Sequence, residues 1–200
     1  MHHPYLIGEK VYLRGLERQD LSGNMFQWAN DPEVTQFMHM GDFPNSIEAL
    51  EHEYEVLMGI KTAGLLQLPN YPSNVVFAIV DKEKDKHIGN IGLFSIDWIQ
   101  HIADLRAVIG EKDYRGGGYA FESYCLAIRY AFNRLNLRRI LGGTRVDHVA
   151  SIIAMKKVGF VQEGRQRQQF LRNGKAYDVL MFGLLREDFF ALFPDKEKTS

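Results

Sequence analysis

A single cysteine, Cys125, leaves no partner for an internal disulfide, so no covalent staple holds this fold. A reducing, cytoplasmic setting is the expectation that follows. No stretch approaches the roughly 20 apolar residues of a membrane helix. The opening "MHHPYLIGEKVYLRG" has no apolar run followed by a cleavage site, so neither a membrane nor a secretory route is expected. Net charge is only −1, which supplies no electrostatic reason to expect nucleic acid as a partner. Internal repeats and a hydrophobe-poor linker are both missing. One domain is therefore predicted over 1–200, with a core from about 8 to 192 and a frayed, charged tail from 194. Two hundred residues give such a domain room for a sizeable core.

What is present is a clear series of periodic segments. "KVYLRGL" (10–16) alternates as a strand does. "ERQDLSGNMFQWANDPEVTQFM" reads as a helix that breaks near "NDP", then a short second helix with Pro32 in its first turn and Asp31 as its cap. Ser46 is placed to cap a helix over 46–61, whose apolar stripe is Ala49, Leu50, Tyr54 and Leu57. A loop over 62–74 is long for a compact domain and points to the substrate side. "VVFAIVDK" is a strand, followed by strands near 88–97 and 102–110. A helix over 118–136 carries Ala120, Tyr124, Ile128, Ala131 and Leu135 on one face. Cys125 falls inside this pattern and reads as a small core residue rather than a catalytic thiol. "RRILGGTRV" is a strand, "VASIIAMKKVGF" a helix ended by Gly159, and Asn173-Gly174 turns a closing hairpin. This order implies a mixed α/β (α+β) sheet with helices on its faces.

The stretch "YRGGGYAFESY" sets three glycines at the start of the helix at 118. A helix N-terminus carries free N–H groups and partial positive charge, and glycines let an anion approach them; the alternative is a structural turn. Two familiar phosphate loops do not fit. Tyr119-Ala120 follow the last glycine where a Walker loop needs Lys-Ser or Lys-Thr. Phe121 stands where a dinucleotide fingerprint needs its third glycine.

"R-G-G-G-Y-A" matches Arg/Gln-x-x-Gly-x-Gly/Ala, which resembles the acetyl-CoA pyrophosphate loop of the GNAT superfamily of N-acetyltransferases. The resemblance runs through "GEKVYLRGLERQDL", "HIGNIGLFSID", "ADLRAVIGEKDYRGGGYAFES" and "ASIIAMKKVGF". The final "EGRQRQQFLRNGKAYDVLMFGLL" resembles the ribosomal-protein N-terminal (alanine) acetyltransferase branch, with spermidine and nucleotide-amino-sugar acetyltransferases as relatives. The resemblance implies a mostly antiparallel, twisted sheet of about seven strands, splayed between strands 4 and 5 and flanked by about four helices. It implies direct attack of an amine on the acetyl-CoA thioester in a ternary complex, without a metal. The acceptor would be a protein N-terminus or a small aminated metabolite, and the protein a monomer or homodimer. An amino sugar, a polyamine, or a non-catalytic acetyl-CoA-binding role are the alternatives.

By the same resemblance, pantetheine would pair with backbone near Val108 and Ile109. Pyrophosphate would meet Arg115 and the amides of Gly116, Gly117, Gly118, Tyr119 and Ala120. Many relatives carry a tyrosine acid four residues before the Gly-Phe pair; here it is Met155, which has no proton to give. Ser151 occupies the position of a candidate donor in the ribosomal branch, and a hydroxyl bonded to a helix carbonyl is its other reading. His148 replaces the usual cofactor-contacting asparagine. Asp104 is the candidate base, although Arg106 on the same strand face offers it an ion pair; Asp97 is the second candidate. Trp28, Phe37, Tyr71 and Arg167 are placed to shape the acceptor side, with core packing the alternative for Trp28.

Overall fold

The computed structural model describes residues 3–58 and 71–195. Its strands are β1 (Leu6–Ile7), β2 (Val11–Gly15), β3 (Val75–Asp81), β4 (Lys86–Asp97), β5 (Ile102–Ile109), β6 (Arg139–Arg145), β7 (Val161–Arg172) and β8 (Lys175–Leu185). They form one sheet in the order β1-β2-β3-β4-β5-β6-β8-β7, antiparallel at every junction except β5 to β6. The helices are α1 (Arg18–Asp20), α2 (Phe26–Asn30), α3 (Pro32–Thr35), α4 (Ile47–Leu57), α5 (Tyr119–Asn133), α6 (Val149–Lys157) and α7 (Arg186–Leu192).

Alternation along the strands separates two cores. Val11, Leu13, Ile79, Ile91 and Leu105 share one cluster with Ile128 and Phe132 of α5, Met155 of α6 and Phe189 of α7. On the opposite face Tyr12, Val76, Ala78 and Val80 pack with Leu16, Met25 and Tyr54. The helices therefore divide: α5 to α7 pack on the first face, and α4 with the turn at Met25 on the second.

The caps read from the sequence are in place. The Asp31 carboxylate accepts from Glu33 N–H at 2.8 Å with Pro32 opening α3, and Ser46 Oγ accepts from Ala49 N–H at 3.1 Å. Asn173 and Gly174 turn the β7–β8 hairpin with φ of 50° and 74°, and the pair tolerates that left-handed geometry. Two elements are additional to the expected ones. β1 is only two residues long, too short to show alternation. α7 follows β8 without a break: Glu187 and Asp188 load its first turn with the charge a helix N-terminus favours, and Phe189 is fully buried. The first predicted helix is split by a π turn at Leu21–Met25, where Gly23 leaves helical geometry (φ −93°, ψ −129°). Most of the loop expected over 62–74, and the last residues of the 46–61 helix, lie outside the described residues.

β5 and β6 pair in parallel only at Ile102↔Arg139, Ala103↔Ile140 and Asp104↔Leu141. β5 nevertheless continues against β4 to Ile109, and β6 against β8 to Arg145. The two strands thus part after Asp104. This is the splay expected between the strands at 102–110 and at "RRILGGTRV", which β1 shifts to fifth and sixth place.

Candidate active site

The splay leaves one edge of β5 open. Gly110 N–H donates to Ile88 O at 3.0 Å, and a side chain at Gly89 would strike Val108 O. Val108 therefore turns its peptide groups to β4. Alternation leaves Ala107 and Ile109 facing the gap. Of the pair expected to meet pantetheine, Ile109 lies on the open edge, as does Ala107, and Val108 does not.

Beyond β5 the chain makes one 3-10 turn and reaches the three glycines. Gly116 and Gly118 hold φ of +82° and +87°, where a side chain strains the backbone, and a Cβ at Gly116 would meet nothing within 4 Å. Gly118 is the N-cap of α5 and places no side chain over its end. The N–H groups of Tyr119, Ala120 and Phe121 thus have no partner within the helix. Arg115 folds back, donating to Ile109 O at 3.3 Å and pairing with Glu33 at 3.1 Å. A second cation is already at the loop. Lys10 Nζ donates to Gly117 O at 2.9 Å and lies over the Tyr119 ring. It is held there because Glu122, in the first turn of α5, accepts from the Glu9 and Lys10 amides. Nothing local in the sequence connects Lys10 to a loop 107 residues away.

The floor of the splay is apolar. The Met155 methyl lies where a Cβ at Gly142 would be, so this side chain fills the space beside β6. One turn earlier, Ser151 Oγ has Met155 Sδ at 3.9 Å as its neighbour and makes no hydrogen bond to a described helix carbonyl. His148 caps α6 and stacks flat on Phe37, with centroids 3.8 Å apart. Burial pulls its imidazole below the ordinary value; Asp147 opposes this, and Arg145 and Arg115 add to it.

Asp104 is the last paired residue before the gap. Arg106 donates to its Oδ2 through Nε at 2.8 Å and its terminal nitrogen at 2.7 Å, and Oδ1 carries no hydrogen bond from the described residues. Asp97 Oδ1 accepts from the Ile99 and Gln100 amides, at 2.9 and 2.8 Å, and so organises the β4–β5 turn. Trp28 is buried, bonded to Glu111 and packed under Gly110, the packing alternative for that residue. Tyr71 is exposed and leans on Trp98, with ring centroids 5.1 Å apart. Arg167 is exposed in a bulge of β7 beside Gln168, which has a φ of +53°. Cys125 is half-buried, and burial pushes its thiol up to about 11. No cluster of potential metal ligands occurs among the described residues.

A family model described as an acetyltransferase (GNAT) domain matches residues 10–161. The chain belongs to the GNAT acetyltransferases. An uncharacterized N-acetyltransferase, p20 of Bacillus licheniformis, is 30% identical over 92% of this chain and 97% of its own. A spermidine N(1)-acetyltransferase of Vibrio cholerae is 28% identical over 56% of this chain and 64% of its own. A crystal structure of spermidine N-acetyltransferase from Vibrio cholerae, in complex with CoA and spermine, has the same fold, with a TM-score of 0.77. It is 24% identical and covers 92% of this chain and 99% of that one. This GNAT protein is accordingly an acyltransferase that uses acetyl-CoA. The open glycine cradle, the uncapped α5 N-terminus and the free edge of β5 fit that co-substrate.

Proposed function

We propose that this GNAT enzyme transfers acetyl from acetyl-CoA to the primary amine of a cationic, polyamine-like acceptor. The pairing of two hairpin arginines carries this reading. Arg165 is bound to Asp178 and Arg172 to Asp42, so each of these guanidiniums is matched by a carboxylate of the chain itself; Arg167, exposed on the same hairpin, makes no ion pair among the described residues, though its charge helps to lower the Asp178 carboxyl. An anionic acceptor such as a nucleotide sugar would need such groups unpaired. The similarity to a spermidine acetyltransferase over about half of the chain supports the same acceptor class.

Acetyl-CoA supplies an activated thioester. The amides at the start of α5, with Lys10, meet its pyrophosphate, and Arg115, paired with Glu33, borders the loop. Ala107 and Ile109 hold the extended arm. Asp104 Oδ1 takes the amine proton, while Arg106 fixes the carboxylate through Oδ2. Ser151, whose hydroxyl is engaged only by the weak acceptor Met155 Sδ at 3.9 Å, donates toward the leaving sulfur. Asp97 belongs to the turn. The half-buried Cys125 thiol, raised to about 11, is a poor source of thiolate for an acyl-enzyme, which supports direct transfer in a ternary complex.

Ser151 together with Met155 supports a second reading, because that combination resembles the ribosomal-protein branch and its peptide α-amine acceptors. Mass spectrometry with spermidine, a ribosomal-protein N-terminal peptide and a nucleotide-linked amino sugar distinguishes the readings. Acetylated spermidine is expected. Acetylation of the peptide alone selects the second reading, and of the sugar alone removes the argument from paired arginines.

A further inference from the structure

Arg145 lies at the end of β6, three residues before the cap of α6, and is only 7% exposed. Its guanidinium donates from two nitrogens to the two oxygens of Asp147, at 2.9 and 2.6 Å, and from the third to Gln36 O at 2.8 Å. Three rings surround it: Tyr177 at 3.8 Å, Phe37 at 4.8 Å and Phe170 at 5.0 Å. These partners come from three parts of the chain, namely the segment after α3, the β6–α6 junction and the β7–β8 hairpin. Phe37 in turn lies flat on His148, with an interplanar angle of 9°. A planar fork that bonds in its plane and stacks above and below it is peculiar to arginine; lysine has neither property.

We propose that Arg145 is a positioning residue for acetyl transfer: it holds Phe37 against His148 and so fixes the start of α6, with Ser151, relative to the acceptor-side segment. The proposal rests on the reading that transfer occurs at the splay beside α6. It assigns no chemistry to Arg145 itself, which is enclosed by its partners. It does make acceptor binding and the orientation of Ser151 depend on one side chain outside the glycine loop.

Two variants test it, Arg145→Lys and Phe37→Leu. The second leaves the buried charge pair intact, so it remains informative if the first folds poorly. Imidazole NMR resonances report the stack without any activity, because the Phe37 ring shifts those of His148. In both variants the His148 signals are expected to move to solvent-like positions. Kinetically, KM for the amine rises at least fivefold and kcat falls at least tenfold, while the calorimetric Kd for acetyl-CoA stays within twofold. The proposal is overturned if Arg145→Lys leaves the His148 signals in place. It is equally overturned if the signals move while KM and kcat hold within twofold, or if acetyl-CoA affinity falls in step with kcat. Failure of the reading that acetyl-CoA lies along the splay would show separately, as parent-like acetyl-CoA affinity in Gly118→Glu.

Discussion

Replacing Gly118 by glutamate does two things at one position. It forces a side chain onto a backbone with φ of +87°, which costs roughly 1–2 kcal/mol. It also sets a carboxylate at the end of α5 that competes for Lys10, whose nitrogen lies 3.8 Å from the new Cβ. Acetyl-CoA affinity measured by calorimetry is expected to fall at least tenfold, and an unchanged affinity would remove this loop from the cofactor site. Asp104→Asn and Ser151→Ala bear on the chemistry instead. Each is expected to lower kcat by roughly 100-fold, in the range of a lost acid or base, with acetyl-CoA affinity held. For Asp104→Asn the loss should persist at raised pH less strongly, because more of the amine is then already neutral. If both variants turn over like the parent, neither residue moves a proton. The glycines and Ser151 were visible in the sequence because they sit inside contiguous motifs. Lys10 was not, because only the long-range tie between Glu122 and the β1–β2 turn delivers it to the loop. The ion pair on Asp104 was foreseeable from strand alternation alone, since Asp104 and Arg106 are two residues apart.

Elements were most legible where a local rule fixed them. Asp31-Pro32, Ser46 and Asn173-Gly174 each specify a boundary by their own chemistry, and each does so in the fold. β1 and α7 depend instead on neighbours, β1 on pairing with β2 and α7 on the apolar surface that receives Phe189. The broken helix after β2 was half legible: the break near Asn30-Asp31-Pro32 is expected and found, but the one at Gly23 is not expected, and nothing signals what lies beneath it. There Arg14 makes a two-pronged bond to Asp20, at 2.8 and 2.7 Å, with both side chains nearly inaccessible. Asp20 also accepts from the Glu17 amide, and His87 Nδ1 lies 3.5 Å away. Burial raises the Asp20 carboxyl, but these partners more than reverse it and hold it below the usual carboxylate range. Asp20→Asn leaves Arg14 charged and unpaired, and is expected to destabilise the fold by about 3 kcal/mol in denaturant titrations. A loss under 1 kcal/mol would mean that water reaches Arg14 freely.

For the molecule as a whole, two histidines contribute to the response between neutral and mildly acid pH. Burial holds both His87 and His148 below the ordinary imidazole value, against the Asn90 bond and Asp20 in one case and Asp147 in the other. A depressed histidine favours the neutral form in the folded state. Its contribution is complete above the unfolded value, about 6.5, and is lost as pH falls through the folded value. The denaturant midpoint should therefore drop between pH 7.5 and pH 5.5, and His87→Gln should flatten that drop. A midpoint constant across this interval would show that neither ring resists protonation. The three-rung seam between β5 and β6 has a further consequence, for biosynthesis. β1 to β5 lie side by side in chain order, so each strand after β1 is made with a partner already synthesised. β6 to β8 are made later and join that set through β5. Only Ile102, Ala103 and Asp104 of β5 pair with β6, so the later strands join the earlier ones through three residues alone.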